Sequence, residues 1–74
     1  MLPEKYLLTI MSNNKVINMP CEFHETIDAV NLALLILEEN KMDEKETDIQ
    51  IFKVIKGMHI LIICKERNED WIGL

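Results

Sequence analysis

The sequence predicts an α+β fold, a ββαββ two-layer sandwich with a four-stranded antiparallel sheet and one helix on one face. Three observations lead there. Segments 5–24 and 48–66 are dense in apolar and β-branched residues, and each breaks once at a turn signal. Between them, residues 27–40 repeat with helical periodicity. A chain of 74 residues is short enough to be one domain, so 1–74 is read as a single unit with a C-terminal tail from about residue 67.

The first hairpin turns at "SNNK", residues 12–15. Asn13 and Asn14 are suited to the positive φ angles of a two-residue loop. Pairing Ser12 with Lys15 then sorts the side chains. Ile10–Ile17, Leu8–Met19 and Tyr6–Cys21 share one apolar face. Met11–Val16, Thr9–Asn18, Leu7–Pro20 and Lys5–Glu22 share a mixed one. A slip of one residue would scramble both faces, so the sorting supports the register. Pro20 lacks an N–H and places its strand at an edge or at a strand end.

For the helix, Thr26 is the expected N-cap, and Asp28 suits the positive end of the helix dipole. Ile27, Ala29, Val30, Ala33, Leu34, Ile36 and Leu37 gather on one broad side. Leu32 and Leu35 fall among the polar residues opposite, with no evident partner in a single sheet-plus-helix layer. Glu38 and Glu39 sit at the negative end of the dipole. Solvent screening accounts for them, as does a nearby cation or basic partner.

The second hairpin, "DIQIFKVIKGMHILIICKE", turns near Lys56-Gly57. Either Gly57-Met58 is a two-residue loop or Gly57 is the left-handed residue of a three-residue loop. In the first case Ile49, Ile51, Ile55, Ile60, Ile62 and Cys64 share a face. Phe52, Val54, Leu61 and Ile63 then share the other with Gln50, His59 and Lys65. Both faces are apolar, where a strand pair with one wet face should alternate cleanly. One face of the sheet therefore lacks a second layer. Leu32, Leu35, Phe52, Val54, Leu61, Ile63 and Trp71 are the candidate residues for an oligomer or partner interface. A second copy, first as a dimer, is the expected cover. The alternative is a monomer in which Trp71 closes the open face.

Composition bounds the function. The formal charge is −5, which argues against nucleic-acid phosphates as the partner. Residues 38–48 carry six acids against two lysines, and Glu38, Glu39, Asp43 and Glu44 form a candidate docking surface for a basic partner. Two separated cysteines do not make a disulfide framework, and no run is long enough to span a membrane. With no leader segment visible, a cytoplasmic protein with reduced thiols is expected. Heavy use of Ile, Asn, Lys and Glu, with one Arg and two Ala, is the bias of a low-GC bacterial or phage genome.

The chemistry-bearing residues are few. Cys21 and His24 point to opposite faces of an extended strand, and His59 and Cys64 lie on the other hairpin, so no metal site is expected. With Gly57 and Gly73 as the only glycines, no phosphate-cradling loop is present. The expectation is a small non-enzymatic protein without cofactor that self-associates and binds another protein. The alternative is a ligand- or metal-binding module with an interfacial pocket near His24, Cys21 and Trp71.

Overall fold

The computed structural model describes residues 2–73. It contains β1 (Glu4–Met11), β2 (Val16–Phe23), α1 (Thr26–Glu39), a 3-10 turn (Glu44–Glu46), β3 (Asp48–Ile55), β4 (Met58–Lys65) and β5 (Trp71–Gly73). The strands form one antiparallel sheet in the order β2-β1-β3-β4-β5. The class is α+β as expected, but the sheet has five strands and not four. The tail supplies the fifth, pairing Trp71, Ile72 and Gly73 with Lys65, Cys64 and Ile63. That pairing satisfies backbone groups that the outer end of β4 would otherwise present to solvent.

Helix α1 lies across β1, β2 and β3. The core is Tyr6, Leu8 and Ile10 of β1, Ile49 and Ile51 of β3, and Ala29, Ala33, Ile36 and Leu37 of α1. The two alanines let the helix approach the sheet closely. Each fully buried Leu or Ile stabilises by roughly 1.5–3 kcal/mol relative to exposure. Tyr6 satisfies its hydroxyl with Glu4 Oε2 and Thr26 Oγ1, both at 3.2 Å. Thr26 is thus the first helical residue and a partner of the core tyrosine. The N-cap is Glu25, without a side-chain cap, which corrects the expected Thr26 cap.

The β1–β2 register is the one the alternation predicts, from Met11–Val16 to Glu4–Phe23. Its turn differs. Neither Asn13 nor Asn14 adopts positive φ. The loop closes through Ser12 N–H to Lys15 C=O at 2.8 Å, and Arg67 Nη1 holds Asn13 Oδ1 at 2.7 Å.

The helix ends in a Schellman arrangement. Lys41 adopts the left-handed conformation (φ 55), and its N–H donates to Glu38 C=O. Met42 N–H donates to Leu37 C=O, and the Met42 side chain packs on the core. Along the helix, Leu32 also packs against the core and so gains a partner. Ile27, expected on the core side, is exposed, as is Leu35.

The second hairpin closes through Lys56-Gly57, both at positive φ (51 and 78), pairing Ile55 with Met58. This is a two-residue loop of the type whose twist suits antiparallel strands, one position earlier than the Gly57-Met58 loop. A β-bulge follows: Phe52 pairs with Leu61, whereas Ile51 pairs with Ile63. The extra residue changes which side chains face the helix. Ile62 and Ile63 both pack on the core, and Lys65 is buried there (4% exposed). The expected placement of Ile63 and Lys65 with Phe52 and Leu61 is therefore corrected, and Cys64 moves to the opposite face.

Candidate functional site on the uncovered sheet face

Strand alternation places Lys5, Leu7, Thr9 and Met11 on the face away from α1, because Tyr6, Leu8 and Ile10 fill the core. The registers extend this face in rows across the sheet. One row is Pro20, Leu7, Phe52, Leu61, and the row beside it is Glu22, Lys5, Val54, His59. On the other side runs a polar row of Asn18, Thr9, Gln50 and Cys64, with Thr9 Oγ1 donating to Asn18 Oδ1 at 3.1 Å. The uncovered face is therefore an apolar band with polar borders.

Leu7, Phe52, Val54 and Leu61 in this band are half-buried. The Phe52 and His59 rings lie tilted at 59°, with centroids 6.3 Å apart. Between the band and its charged border is an open depression of about 400 Å³. Leu7, Pro20 and Val54 line it together with Lys5, Glu22 and His59. Such a surface suits an apolar side chain entering beside groups of either charge. Tyr6 and Cys21 also contribute to its lining.

The sequence-derived candidates separate in space. Phe52, Val54 and Leu61 lie together on the uncovered face. Leu32 and Ile63 pack on the core at the helix side, and Leu35 stands exposed on α1 (48%). Trp71 also packs on the helix side, where its Nε1 donates to Glu44 Oε2 at 3.3 Å. It does not close the open face. Glu38, Glu39, Asp43 and Glu44 are all exposed around the helix C-terminus. Asp43 Oδ1 is engaged by Lys45 N–H at 3.0 Å, so two of these acids also hold local structure.

Cys21 and Cys64 are free thiols. Burial pushes the Cys21 thiol up from its ordinary value. His24 is exposed beyond β2. Among the described residues no group of three or more His, Cys, Asp or Glu could hold a metal ion. At the rim, Lys53 Nζ and Glu4 Oε2 form an ion pair at 2.6 Å. The bond from Lys53 holds the Glu4 carboxyl below its usual range, and the bond to Glu4 raises Lys53. Among the described residues no helix is long and apolar enough to cross a membrane.

Sequence reasoning put Leu7, Met11 and Val16 on one open face with Phe52, Val54, Leu61 and Ile63, but did not fix the strand order that sets Val54 and His59 in one row with Lys5 and Glu22. The missing information was that β1 and β3 are neighbours. Compared with known proteins, the chain matches no family model, and no curated protein or solved structure is significantly similar to it.

Proposed function

We propose that this is a small non-enzymatic interaction protein that self-associates and acts by binding another protein. Its docking surface is the uncovered band of Leu7, Phe52, Val54 and Leu61. One observation supports this reading: the band is contiguous and apolar, and among the described residues no second layer covers it. The partner it fits presents an apolar side chain to the Leu7–Pro20–Val54 depression and polar groups to Lys5, Glu22 and His59. The acidic end formed by Glu38, Glu39, Asp43 and Glu44 steers a basic partner during encounter and adds little to the final affinity.

The test uses a photo-crosslinking side chain at position 61 in the full-length protein, applied to a lysate. Partner capture is expected with the wild-type background and with Leu35→Asp, which lies on the helix exterior. Phe52→Asp, which puts a charge in the middle of the band, abolishes it. Undiminished capture by a Phe52→Asp protein with an unchanged circular dichroism spectrum rules this surface out.

A further inference from the structure

The two outer sides of the sheet are guarded in different ways. On β2, alternation from the closing pair Ser12–Lys15 turns Pro20 outward, and Pro20 has no N–H to offer an added strand. On β4 the cover is a separate piece of chain, residues 66–73. It turns at Glu66–Glu69, where Glu69 N–H donates to Glu66 C=O at 3.0 Å and Asn68 takes a left-handed φ of 62. Strand β5 then pairs with Ile63–Lys65.

Two observations set this piece apart. Among the described residues, the buried apolar side chains all lie between Tyr6 and Ile51, so the core closes without residues 66–73. Within 66–73, only Trp71 is not exposed. Beyond the β5 pairing, what holds the piece is a set of hydrogen bonds to residues 44–48. Asn68 N–H donates to Lys45 C=O at 2.6 Å, Arg67 N–H to Asp48 Oδ1 at 2.7 Å, and Trp71 Nε1 to Glu44 Oε2 at 3.3 Å. That base is tied by bonds of its own, from Glu46 N–H and Thr47 Oγ1 to Asp43 C=O at 3.0 and 2.7 Å. Exposed hydrogen bonds are readily replaced by bonds to water, so each adds little net stability. Segments with few buried apolar contacts open locally while the core stays folded.

Lys65 lies beneath this piece. Trp71 is its cross-strand neighbour, and Glu66 supplies one of the two carbonyls that hold its ammonium. Lys65 is buried, although the rest of β4 is half-buried or exposed. Met58–Ile62 has no strand on its outer side among the described residues.

We propose that residues 66–73 form a strap that opens off β4 as one unit while the core stays folded, with Trp71 as its catch. Opening uncovers the Lys65 amine and the outer side of Ile63–Lys65, so the whole outer edge of β4 from Met58 to Lys65 is then unpaired. The strap thus gives one sheet edge a closed and an open state. This goes beyond the docking surface above and does not rest on it.

The experiment measures hydrogen exchange by NMR on the full chain across a series of low urea concentrations, together with acetylation of Lys65 read by peptide mass. The Arg67 and Asn68 amides and the Trp71 indole N–H are expected to exchange through one common opening, faster than the Ala33 and Leu37 amides of α1. Lys65 is expected to acetylate through that same opening, far more slowly than exposed Lys45. Two variants separate local from global opening. Trp71→Ala removes the catch and speeds Lys65 acetylation by about tenfold or more, the scale of a lost apolar anchor. Ile36→Val weakens the core alike in the closed and open states. It speeds exchange of the α1 amides severalfold and leaves Lys65 acetylation and Asn68 exchange as they were. Lys65 acetylation and Asn68 exchange that match the α1 amides, or that speed up in Ile36→Val, show that the strap leaves only when the whole chain unfolds and overturn the proposal. Separate urea dependences for Arg67, Asn68 and Trp71 refute a single unit. Lys65 acetylation as fast as that of Lys45 shows that no closed strap covers it.

Discussion

Lys65 is a buried ammonium whose partners are backbone carbonyls: Thr47 at 3.1 Å and Glu66 at 3.2 Å. Thr47 is itself buried, and its hydroxyl donates to Asp43 C=O at 2.7 Å. Lys65 thus ties β4 to the segment that leads into β3. Burying an ammonium costs several kcal/mol, and bonds from a charged donor return roughly 1.5–3 kcal/mol each. Lys65→Met keeps the apolar stem and removes both the charge and the donor. The two bonds together return about what burying the ammonium costs, so the net loss in Lys65→Met is the buried Thr47 carbonyl left without its donor, about 1–3 kcal/mol. Lys65→Ala also loses three buried methylenes at ~0.8 kcal/mol each, for a total of about 3–5 kcal/mol. A domain of this size is stable by roughly 4–11 kcal/mol, so the Ala variant sits near the limit of folding. Thermal unfolding followed by circular dichroism reads the difference. For so short a chain 1 kcal/mol moves the midpoint by about 4–8 °C, and Lys65→Met should melt roughly 5–20 °C below wild type. A Met variant as stable as wild type, or more so, shows that the ammonium is a net cost, and the tethering role is then wrong.

Other consequences are measurable. Pro20→Val restores an outward N–H at the centre of the β2 edge, and time-resolved light scattering should show faster aggregation; an unchanged rate means Pro20 is not a guard. Glu4 has a lowered pKa in the folded state, so its contribution to stability is full above the ordinary carboxylate range and is lost as pH falls through the lowered value. Lys53 has a raised pKa, so its contribution is full below the ordinary lysine range and is lost as pH rises through the raised value. In Lys53→Met, an NMR titration should find the Glu4 carboxyl nearer its ordinary value; no movement separates the pair. Burial raises the Cys21 thiol, so iodoacetamide at neutral pH should label Cys21 more slowly in the folded protein than in urea, read by peptide mass. Equal rates place Cys21 in open solvent.

Much of the fold is legible before any coordinates. Alternation in residues 5–23 contains the β1–β2 register, because a strand with one buried face must sort its side chains. The run from Ile27 contains the helix and its Ala33–Leu37 core side. The uncovered face is legible as an excess: Phe52, Val54 and Leu61 have no place in a core that Ile49 and Ile51 already fill. The rest depended on tertiary structure. Three residues of β5 are too short to carry a period, and only the outer end of β4 gives them a partner. The bulge at Ile62 adds one residue to a strand whose two faces are equally apolar, so nothing in the hydrophobic pattern marks it; yet it turns Ile63 and Lys65 toward the core and Cys64 to the opposite face. Neither residue of the Asn13-Asn14 turn has positive φ although both suit it, and Arg67, 54 positions away, donates a hydrogen bond to Asn13. Periodicity reports how one segment is buried, which is a local property of the chain. Which segments become neighbours, and which edge and face stay open, is decided by contacts between residues far apart in sequence, and these leave no local pattern to read.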